Sequence, residues 1–452
     1  MSTLIKISKN INPFPSGTII AGLGFLISGL AAYGFLSIAS HHLTPEEYSP
    51  LATFWAMLWI LAPGFFYPLE QEIGRATAAR RAMHIGVRPL IIRAALIGLV
   101  LFALLIIAIT VFAYPIANLL FGGHISLVIA LGLALLAYLA EYTMRGVLAG
   151  NGLFNRYSML ISLEGFFRIA PVAIVIFLGF ATTGVLGIIL AAAALLATIL
   201  SPIGAKNLAK AGPPSPWNEI SNALGFLLLA SFCNQFLTYA GAVAIRLLSS
   251  PTQHSAAGVF LNGLVVARIP LFLFQAIQAA LLPQLSSLLG KGDFHAYRKA
   301  FMRLFLVVIG IGIVGTFGFL ILGPWIVTLF FGHAYGVLSH GDMGLLALAS
   351  AFIMVGLTLT QSLLSLGHYG YAALSWFGGT VAFLILVLLT PHFTLFFRVE
   401  LALAIGCAVT VLIAAACYLP QLGSLETRAS TFLKKHPAPS LPEIPEESPS
   451  IP

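Results

Sequence analysis

Residues 89–124 read PLIIRAALIGLVLFALLIIAITVFAYPIANLLFGGH, and Arg93 is the single charged residue among them. About 20 consecutive apolar residues are enough for a helix to cross the hydrocarbon core of a bilayer. A helix that is apolar on every side must be shielded from water on every side, either in the core of a large protein or in a membrane. The stretch therefore predicts a membrane-spanning helix that ends at about Pro115.

The composition of the whole chain agrees with a membrane environment. Of the 452 residues, 8% are charged and 59% are apolar, and the mean hydropathy is +1.01. An ordinary soluble domain is roughly a quarter charged. No stretch has the composition of a soluble domain, which argues against an appended catalytic module. Cys233, Cys407 and Cys417 lie in apolar runs and are interpreted as small packing residues.

Apolar runs separated by Gly, Pro and charged residues predict an all-α polytopic membrane protein. Strands with open edges cannot satisfy their backbone groups in lipid, so helices are the expected spanning element. About twelve transmembrane helices are predicted. They cover residues 17–40, 49–71, 89–114, 125–147, 158–180, 183–205, 222–246, 256–281, 301–323, 342–365, 371–390 and 399–420.

The basic residues predict the orientation of these helices. With the N-terminus inside, 18 of the 22 Lys and Arg residues lie at cytoplasmic positions, whereas Arg246 and Arg398 lie near the outer side. Such an asymmetry is the positive-inside signal, and it predicts that both termini are cytoplasmic. The formal net charge of +8 accordingly indicates affinity for anionic membrane lipids and not for nucleic acid.

Similar segments recur about 207–210 residues apart. PIANLLFGGH at 115–124 matches PWIVTLFFGH at 324–333, and Pro63 corresponds to Pro270. The repeat predicts two six-helix, pseudo-symmetric lobes, an arrangement that suits alternating access around a site near the membrane midplane. The predicted organisation is a cytoplasmic N-terminus (1–16), an N-lobe (17–205), a cytoplasmic linker (206–221), a C-lobe (222–420) and a disordered cytoplasmic tail (421–452).

Spans 4 and 5 each carry an acid–base pair, Glu141 with Arg145 and Glu164 with Arg168. The i,i+4 spacing places the members of each pair on one helix face. The short link between the spans predicts an antiparallel hairpin with the two carboxylates at similar depth. Two interpretations remain open: a structural ion network that locks the first lobe, or a charge cluster that binds an anionic substrate or a coupling proton.

Spans 7 and 8 contain arginines without a carboxylate at helical spacing. Arg268 precedes Ile269-Pro270, where a broken helix can open a polar pocket, and a guanidinium suits phosphate oxygens. We predict that Arg268 contacts substrate in a central cavity; the alternative is an ion pair with Glu70 across the lobes. Arg246 lies closer to the outer face, where snorkelling is an equal explanation. The other candidates for the cavity lining are Asn234, Gln235, Tyr239 and Asn262, whose default role is hydrogen bonding between helices.

Span 2 ends in a polar cluster that contains Glu70 and Glu72. A gating or coupling role and a simple polar helix end at the interface explain this cluster equally well. Trp55 and Trp59 lie four residues apart on the same span. They either stack on a sugar or belong to an aromatic belt. No metal-binding spacing occurs in the sequence, and no cofactor is expected.

Three segments resemble one known family. RGVLAGNGLFNR at 145–156, followed by Glu164 and Arg168, resembles the span 4–5 hairpin of polysaccharide (Wzx-like) flippases of the multidrug/oligosaccharidyl-lipid/polysaccharide (MOP) exporter superfamily. LTPEEY at 43–48 looks like that family's link between the first two spans. RIPL at 268–271 through LPQL at 282–285, with Arg298 to Arg303 beyond, is similar to its span 8 and the following loop. The first two spans lack the arginines that some lipid-linked peptidoglycan precursor flippases have there.

The resemblance implies a MATE/MOP-like fold and a transporter instead of an enzyme, in the bacterial cytoplasmic membrane. The implied substrate is a polyprenyl-pyrophosphate-linked oligosaccharide, a precursor of cell-envelope polysaccharide, which moves from the inner to the outer leaflet. The polysaccharide polymerase machinery is the implied partner. A cation-coupled multidrug antiporter of the same superfamily is the alternative, because Glu141 and Glu164 are intramembrane carboxylates. Short predicted loops disfavour a membrane polymerase or glycosyltransferase.

Overall fold

A computed structural model describes residues 16–435 except 206–207, 217–218, 221–222, 251, 254, 272–273, 275–284, 286–287 and 289–291, with side chains described within 22–423. Within these ranges the regular secondary structure is helical throughout. The main helices are α1 (Ser16–His42), α2 (Pro45–Ala82), α3 (Arg88–Val111), α4 (Ile125–Gly150), α5 (Phe154–Phe177), α6 (Thr183–Leu200), α7 (Leu224–Leu248), α8 (Ala256–Val266), α9 (Phe294–Phe331), α10 (His340–Ser365), α11 (Tyr369–Leu389) and α12 (Leu395–Lys435).

Eleven of these helices have the length and apolar composition needed to cross a membrane. The exception is α8, which begins at the predicted residue 256 but has only 11 residues. Much of the remainder of predicted span 8 (256–281) lies outside the described residues. The all-α, polytopic fold class is confirmed. Which ends face the cytoplasm stays a prediction, and we call the end that carries the α1–α2 link the predicted outer end.

The LTPEEY segment at 43–48 forms the N-terminus of helix α2. The Thr44 hydroxyl accepts a hydrogen bond from the amide of Glu47 (3.3 Å), and the Glu47 carboxylate accepts one from the amide of Thr44 (3.1 Å). This reciprocal capping box satisfies two amides that the first turn of a helix leaves unpaired. Pro45 follows at the first helical position, where its missing N–H costs nothing. The segment therefore fixes the position at which α2 begins.

The two matched repeat segments end in a similar way but differ upstream. Helix α3 stops at Val111, and residues 116–120 form a separate π-helical turn. Pro324, in contrast, lies inside α9, which continues to Phe331. Both segments close on a glycine with positive φ, +87° at Gly123 and +90° at Gly332. Glycine adopts this backbone conformation without steric cost, which explains why Gly-His ends both segments.

The helices pack as two bundles with matching internal contacts. In the first bundle, α1–α6, contacts join α1 to α5, α4 to α6, and α5 to α6. In the second bundle, α7–α12, the equivalent pairs α7–α11, α10–α12 and α11–α12 are also in contact. The bundles meet mainly where α2 packs against α7 and α8. An offset of six helices therefore relates the two halves, as the sequence repeat predicts.

The predicted segments outside the bundles are described only in part. Residues 1–15 of the N-terminus and 436–452 of the tail lie outside the described residues, and six residues at 206–207, 217–218 and 221–222 do so around the linker. Helix α12 continues to Lys435, whereas the predicted tail begins at residue 421. The lobe boundaries stay predictions.

Candidate functional site

The backbone breaks at Arg268, directly after helix α8. Helix α8 ends at Val266, and Ala267 and Arg268 form a turn. In a continuous helix the ring of Pro270 would clash with the carbonyl four residues earlier, which belongs to Val266. The amide of Arg268 instead donates to the carbonyl of Val265, three residues back, at 3.1 Å. The break that the Ile269-Pro270 pair predicts is therefore present, roughly 18 Å along the chain from the start of α8.

The Arg268 side chain is buried, with 3% of its surface exposed. Its guanidinium lies over the ring of Tyr239, 4.9 Å from the ring centroid. Its Nε and Nη1 atoms have no hydrogen-bond partner, and no carboxylate in the described part of the chain lies within ion-pair distance. The alternative pairing with Glu70 is not what the structure shows, because Glu70 Oε2 lies 3.1 Å from Arg145 Nε on the adjacent helix α4.

Arg168 of α5 lies beside two tryptophans of α2. Its guanidinium approaches the rings of Trp55 and Trp59, at 5.6 and 5.7 Å. Nη2 donates to Glu164, one turn earlier on α5, whereas Nε and Nη1 have no hydrogen-bond partner. The Arg168 side chain is fully buried. The predicted i,i+4 pair with Glu164 is confirmed, and it leaves part of the guanidinium unsatisfied.

An aromatic contact joins the two arginines across the bundles. Trp59 on α2 stacks on Tyr239 on α7, with centroids 6.5 Å apart and planes inclined by 24°. Both rings are half-buried, unlike the two arginines beside them. We call Trp59, Arg168, Tyr239 and Arg268 the arginine–aromatic site. The sequence singles out all four residues but does not show that they meet.

Tyr33 on α1 adjoins this site and was missed at the level of sequence. Its hydroxyl donates to the carbonyl of Val265 at 2.7 Å, and its ring lies near Arg268 and Tyr239. The Val265 carbonyl, which also accepts from the amide of Arg268, therefore receives a second donor from α1 at the broken end of α8. The signal available in the sequence was the single tyrosine of a largely apolar span.

The structure also places the four other predicted lining residues, Asn262, Arg246, Asn234 and Gln235. Asn262 is buried in the α2–α8 contact, where its Oδ1 accepts a hydrogen bond from Tyr48 (2.6 Å); it therefore joins helices and does not line the central site. Arg246 is half-buried and donates from Nε to the Leu119 carbonyl at 3.3 Å. Asn234 is half-buried, and its Oδ1 has no partner. Gln235 lies one turn before Tyr239 on the same face of α7.

A buried ion network fills the space between α2, α4 and α5. Glu141 Oε1 lies 3.7 Å from Arg145 Nη1, which confirms the second i,i+4 pair. Arg145 also pairs with Glu70, which accepts a hydrogen bond from Tyr157 at 2.7 Å. Deeper in the bundle, Glu164 accepts hydrogen bonds from Tyr138 (2.8 Å) and Ser28 (3.2 Å) in addition to Arg168.

The predicted inner end carries a separate clamp. Arg80 near the end of α2 pairs with Glu219 of the linker at 2.9 Å and donates to the Pro213 carbonyl at 3.1 Å. Burial alone would raise the pKa of Glu219, but the hydrogen bonds from Arg80 and Ser215 outweigh it and lower that pKa. Glu72 belongs to this end of α2 and pairs with Arg75 at 2.9 Å. In the sequence Arg80 contributed only to the orientation signal.

The predicted outer end is bridged by direct contacts between the bundles. Tyr48 donates to Asn262 of α8, as described above, and Arg246 donates to the α3–α4 connection. Ser40 near the end of α1 donates to the carbonyl of Phe331 at 3.5 Å. Helices of the first bundle are thus held against the second at this end. The arginine–aromatic site lies beneath these contacts.

Comparison with known proteins gives relatives of similar length. No protein-family model matches the chain. An uncharacterized protein of Mycobacterium tuberculosis is 28% identical over 393 residues, covering 83% of this chain and 86% of that protein. An uncharacterized protein of Mycobacterium bovis is 23% identical over 389 residues with the same coverage.

Solved structures identify the fold. The outward-facing conformation of a multidrug resistance MATE family transporter of the MOP superfamily matches with a TM-score of 0.68 and 15% identity, covering 91% of this chain and 95% of that one. The inward-facing conformation of such a transporter also gives 0.68, with 16% identity, 93% of this chain and 100% of that one. The chain therefore has the MATE transporter fold, as its sequence predicts.

Proposed function

We propose that this protein moves a polyprenyl-diphosphate-linked oligosaccharide across the membrane by alternating access. The diphosphate lies between Arg168 and Arg268, and the adjoining sugar contacts Trp59 and Tyr239. The observation that carries the proposal is the pair of buried guanidiniums, one from each bundle, that retain unpartnered Nε and Nη1 atoms and contact the two rings of one aromatic pair, Trp59 and Tyr239.

The unsatisfied donors favour an anionic ligand. A buried donor without a partner costs free energy, and an intramembrane arginine without a counter-ion is a marker of function. Guanidinium groups bind phosphate oxygens in a bidentate manner. A diphosphate offers one phosphoryl group to each arginine, so it fits a site with a cation from each bundle better than a single phosphate does.

The aromatic pair suits the part of the ligand next to the diphosphate. Trp and Tyr present an apolar face together with a polar edge, which is the mixture that a sugar ring requires. Trp59 Nε1 has no hydrogen-bond partner, and it can donate to a sugar hydroxyl. Gln235, on the same face of α7 as Tyr239, supplies an amide for a second sugar contact.

The fold supplies a means of exposing this site to each side in turn. The site lies between two six-helix bundles, and solved transporters with this fold occur in outward-facing and inward-facing conformations. Under the proposal the protein is a transporter of the bacterial cytoplasmic membrane and not an enzyme. Anionic lipids contact its basic inner end, and the polysaccharide polymerase machinery receives the product.

A cation-coupled multidrug antiporter is the second candidate. The two matched solved structures are those of multidrug resistance transporters, and Glu141 is a buried carboxyl with one unpartnered oxygen. A cationic drug in the central site, however, would lie beside two guanidiniums. Like charges in a medium of low dielectric constant repel strongly, so the site favours an anion.

Transport in reconstituted vesicles tests the proposal. The probe is a fluorescent, short-chain polyprenyl-diphosphate disaccharide placed in one leaflet. Arg268→Ala should abolish its movement, whereas Arg398→Ala should retain it, because Arg398 donates to the Val387 carbonyl within the second bundle. Unimpaired movement in Arg268→Ala would contradict the proposal. Transport of tetraphenylphosphonium in place of the lipid would favour the antiporter.

A further inference from the structure

The two matched repeat segments, 115–124 and 324–333, each contain the end of a helix at the predicted outer end, and neither contributes a residue to the arginine–aromatic site. The last turn of a helix leaves carbonyl groups without an amide partner in the same helix. Away from water such groups are costly unless a donor from elsewhere satisfies them. The donors at the two segments therefore show what each helix end is packed against.

The segment of the first bundle is capped by an arginine of the second. Arg246, in the last turn of α7, donates from Nε to the carbonyl of Leu119 at 3.3 Å. Leu119 belongs to the π-helical turn at 116–120. The aligned peptide groups of a helix place partial negative charge at its C-terminal end, which favours a cation there. A guanidinium of α7 is thus bound at a helix end of the opposite bundle.

The segment of the second bundle is capped by side chains from the end of α1. The hydroxyl of Ser37 donates to the carbonyl of Phe330. The hydroxyl of Ser40, one turn later on α1, donates to the carbonyl of Phe331 at 3.5 Å. Phe330 and Phe331 are the last two residues of α9. The first bundle therefore supplies the donors for the final turn of α9.

A glycine with positive φ adjoins the capping helix in both segments. The φ angle is +59° at Gly122 and +90° at Gly332, which glycine adopts without steric cost. Nη2 of Arg246 lies 3.3 Å from the position that a Cβ atom on Gly122 would occupy. Nε2 of His41 lies 3.6 Å from the equivalent position on Gly332. In both segments, a basic side chain of the opposite bundle therefore approaches the glycine that follows the helix end.

The six-helix offset between the bundles makes these two contacts equivalent. The offset relates α1 to α7 and α3 to α9. Helix α7 of the second bundle caps the segment after α3 of the first bundle, and α1 of the first bundle caps the end of α9 in the second. We call the two contacts the crossed caps. In alternating access one bundle moves against the other, so a movement that parts one cap also strains the other.

We propose that the crossed caps close the predicted outer end and that they release together when the bundles separate there. Each release leaves helix-end carbonyls without their donors, which favours the closed state until water replaces the donors. Because the helices of each bundle are packed on one another, a bundle moves as a unit. The loss of one cap therefore weakens closure at the other as well. This mechanism depends on contacts within the chain and not on which solute the protein moves.

Double electron–electron resonance in nanodiscs, without any transported molecule, tests whether the caps are coupled. The three native cysteines are first replaced by alanine so that the introduced cysteines alone carry spin labels. One label pair, at His42 and Val337, spans the cap on α9, and the other, at His124 and Thr252, spans the cap after α3. All four residues are exposed. Opening of the outer end adds a longer distance to each distribution.

Arg246→Leu should raise the open fraction about tenfold, because a hydrogen bond from a charged donor is lost. The longer distance should increase at both label pairs, including the pair on the distant α9 cap. Ser37→Ala/Ser40→Ala should raise the open fraction about fivefold at both pairs, since the lost donors are uncharged. The serine variant decides the matter if Arg246→Leu fails to fold.

Two matched substitutions remove similar groups that do not join the bundles. Arg398 donates to the carbonyl of Val387 within the second bundle at 2.7 Å, so Arg398→Leu should leave both distance distributions unchanged. Ser375 donates to the carbonyl of Tyr371 on its own helix at 2.7 Å, so Ser375→Ala should also leave them unchanged. The proposal is overturned if Arg246→Leu changes only the label pair beside it, or if Arg398→Leu opens the outer end to the same extent.

Discussion

The two bundles differ in whether a buried arginine has a counter-ion. In the first, carboxylates and guanidiniums bind one another, and Arg168 has Glu164 one turn away on its own helix. In the second, Arg268 has an aromatic ring beside it and no carboxylate among the described residues within ion-pair distance. Both arginines reach the same aromatic pair. The difference indicates that a buried arginine with a counter-ion contributes to the stability of the fold, whereas one without a counter-ion has donors available for a ligand.

Removal of the paired arginine should have the largest effect on stability. Arg168→Leu leaves the Glu164 carboxylate buried without a cation, and breaking a buried ion pair in this way costs about 3–5 kcal/mol. Denaturant unfolding in detergent micelles measures the loss. The double variant Arg168→Leu/Glu164→Leu should recover much of it, because both charges are then absent. Equal destabilisation in the single and double variants would contradict a paired role.

Removal of the unpaired arginine should weaken ligand binding without a loss of stability. Arg268→Leu deletes a buried charge that has no counter-ion, so the free energy of unfolding should stay the same or rise. Affinity for a short-chain polyprenyl diphosphate should fall by about 2 kcal/mol or more, the usual cost of truncating one partner of a buried charge pair. Isothermal titration in nanodiscs measures the affinity. A marked loss of stability with unchanged affinity would assign Arg268 a structural role.

Loss of the Tyr48–Asn262 hydrogen bond at the predicted outer end should have a smaller effect. Tyr48→Phe removes only the hydroxyl that donates to Asn262, and a lost hydrogen bond of this kind costs about 1 kcal/mol. The balance between the closed and open outer end should then shift about fivefold toward the open form. Spin-label distances between the bundles measure this shift. Thr53→Val is a suitable control, because the Thr53 hydroxyl donates to the Ser49 carbonyl within α2.

The smallest effect is expected at the clamp on the linker. Since the pKa of Glu219 is lowered, this residue stabilises the clamp above the ordinary glutamate pKa of about 4.3. The contribution is lost as the pH falls through the lower pKa of the folded state. It should amount to less than about 1 kcal/mol, because the Glu219 side chain remains partly exposed to solvent. Hydrogen exchange of the linker should increase at acid pH in the wild type and show no such change in Glu219→Gln.

Local features of this protein were predictable from its sequence because their geometry depends on a single helix. The pairs Glu141–Arg145 and Glu164–Arg168 follow directly from i,i+4 spacing. The break before Pro270 follows from the missing N–H of proline. The positions of most spans follow from the length of apolar sequence that a bilayer requires.

Contacts between helices were not predictable in the same way. Glu70 meets Arg145 because α2 packs directly on α4, and Asn262 meets Tyr48 because α8 packs on the start of α2. Spacing along one helix carries no information about either neighbour. Arg80 was visible only as one of many basic residues at the predicted inner end, and its linker partners depend on how that linker folds back.

The stacking of Trp59 on Tyr239 gives the protein an internal optical reporter. The chain has five tryptophans, and among those that the structure describes Trp59 is the one whose indole contacts an aromatic ring of the opposite bundle. Separation of the bundles would part the two rings and hydrate the indole, which shifts its emission to longer wavelength. A variant that keeps this tryptophan and replaces the other four with phenylalanine would therefore signal each opening by its own fluorescence, with no attached dye.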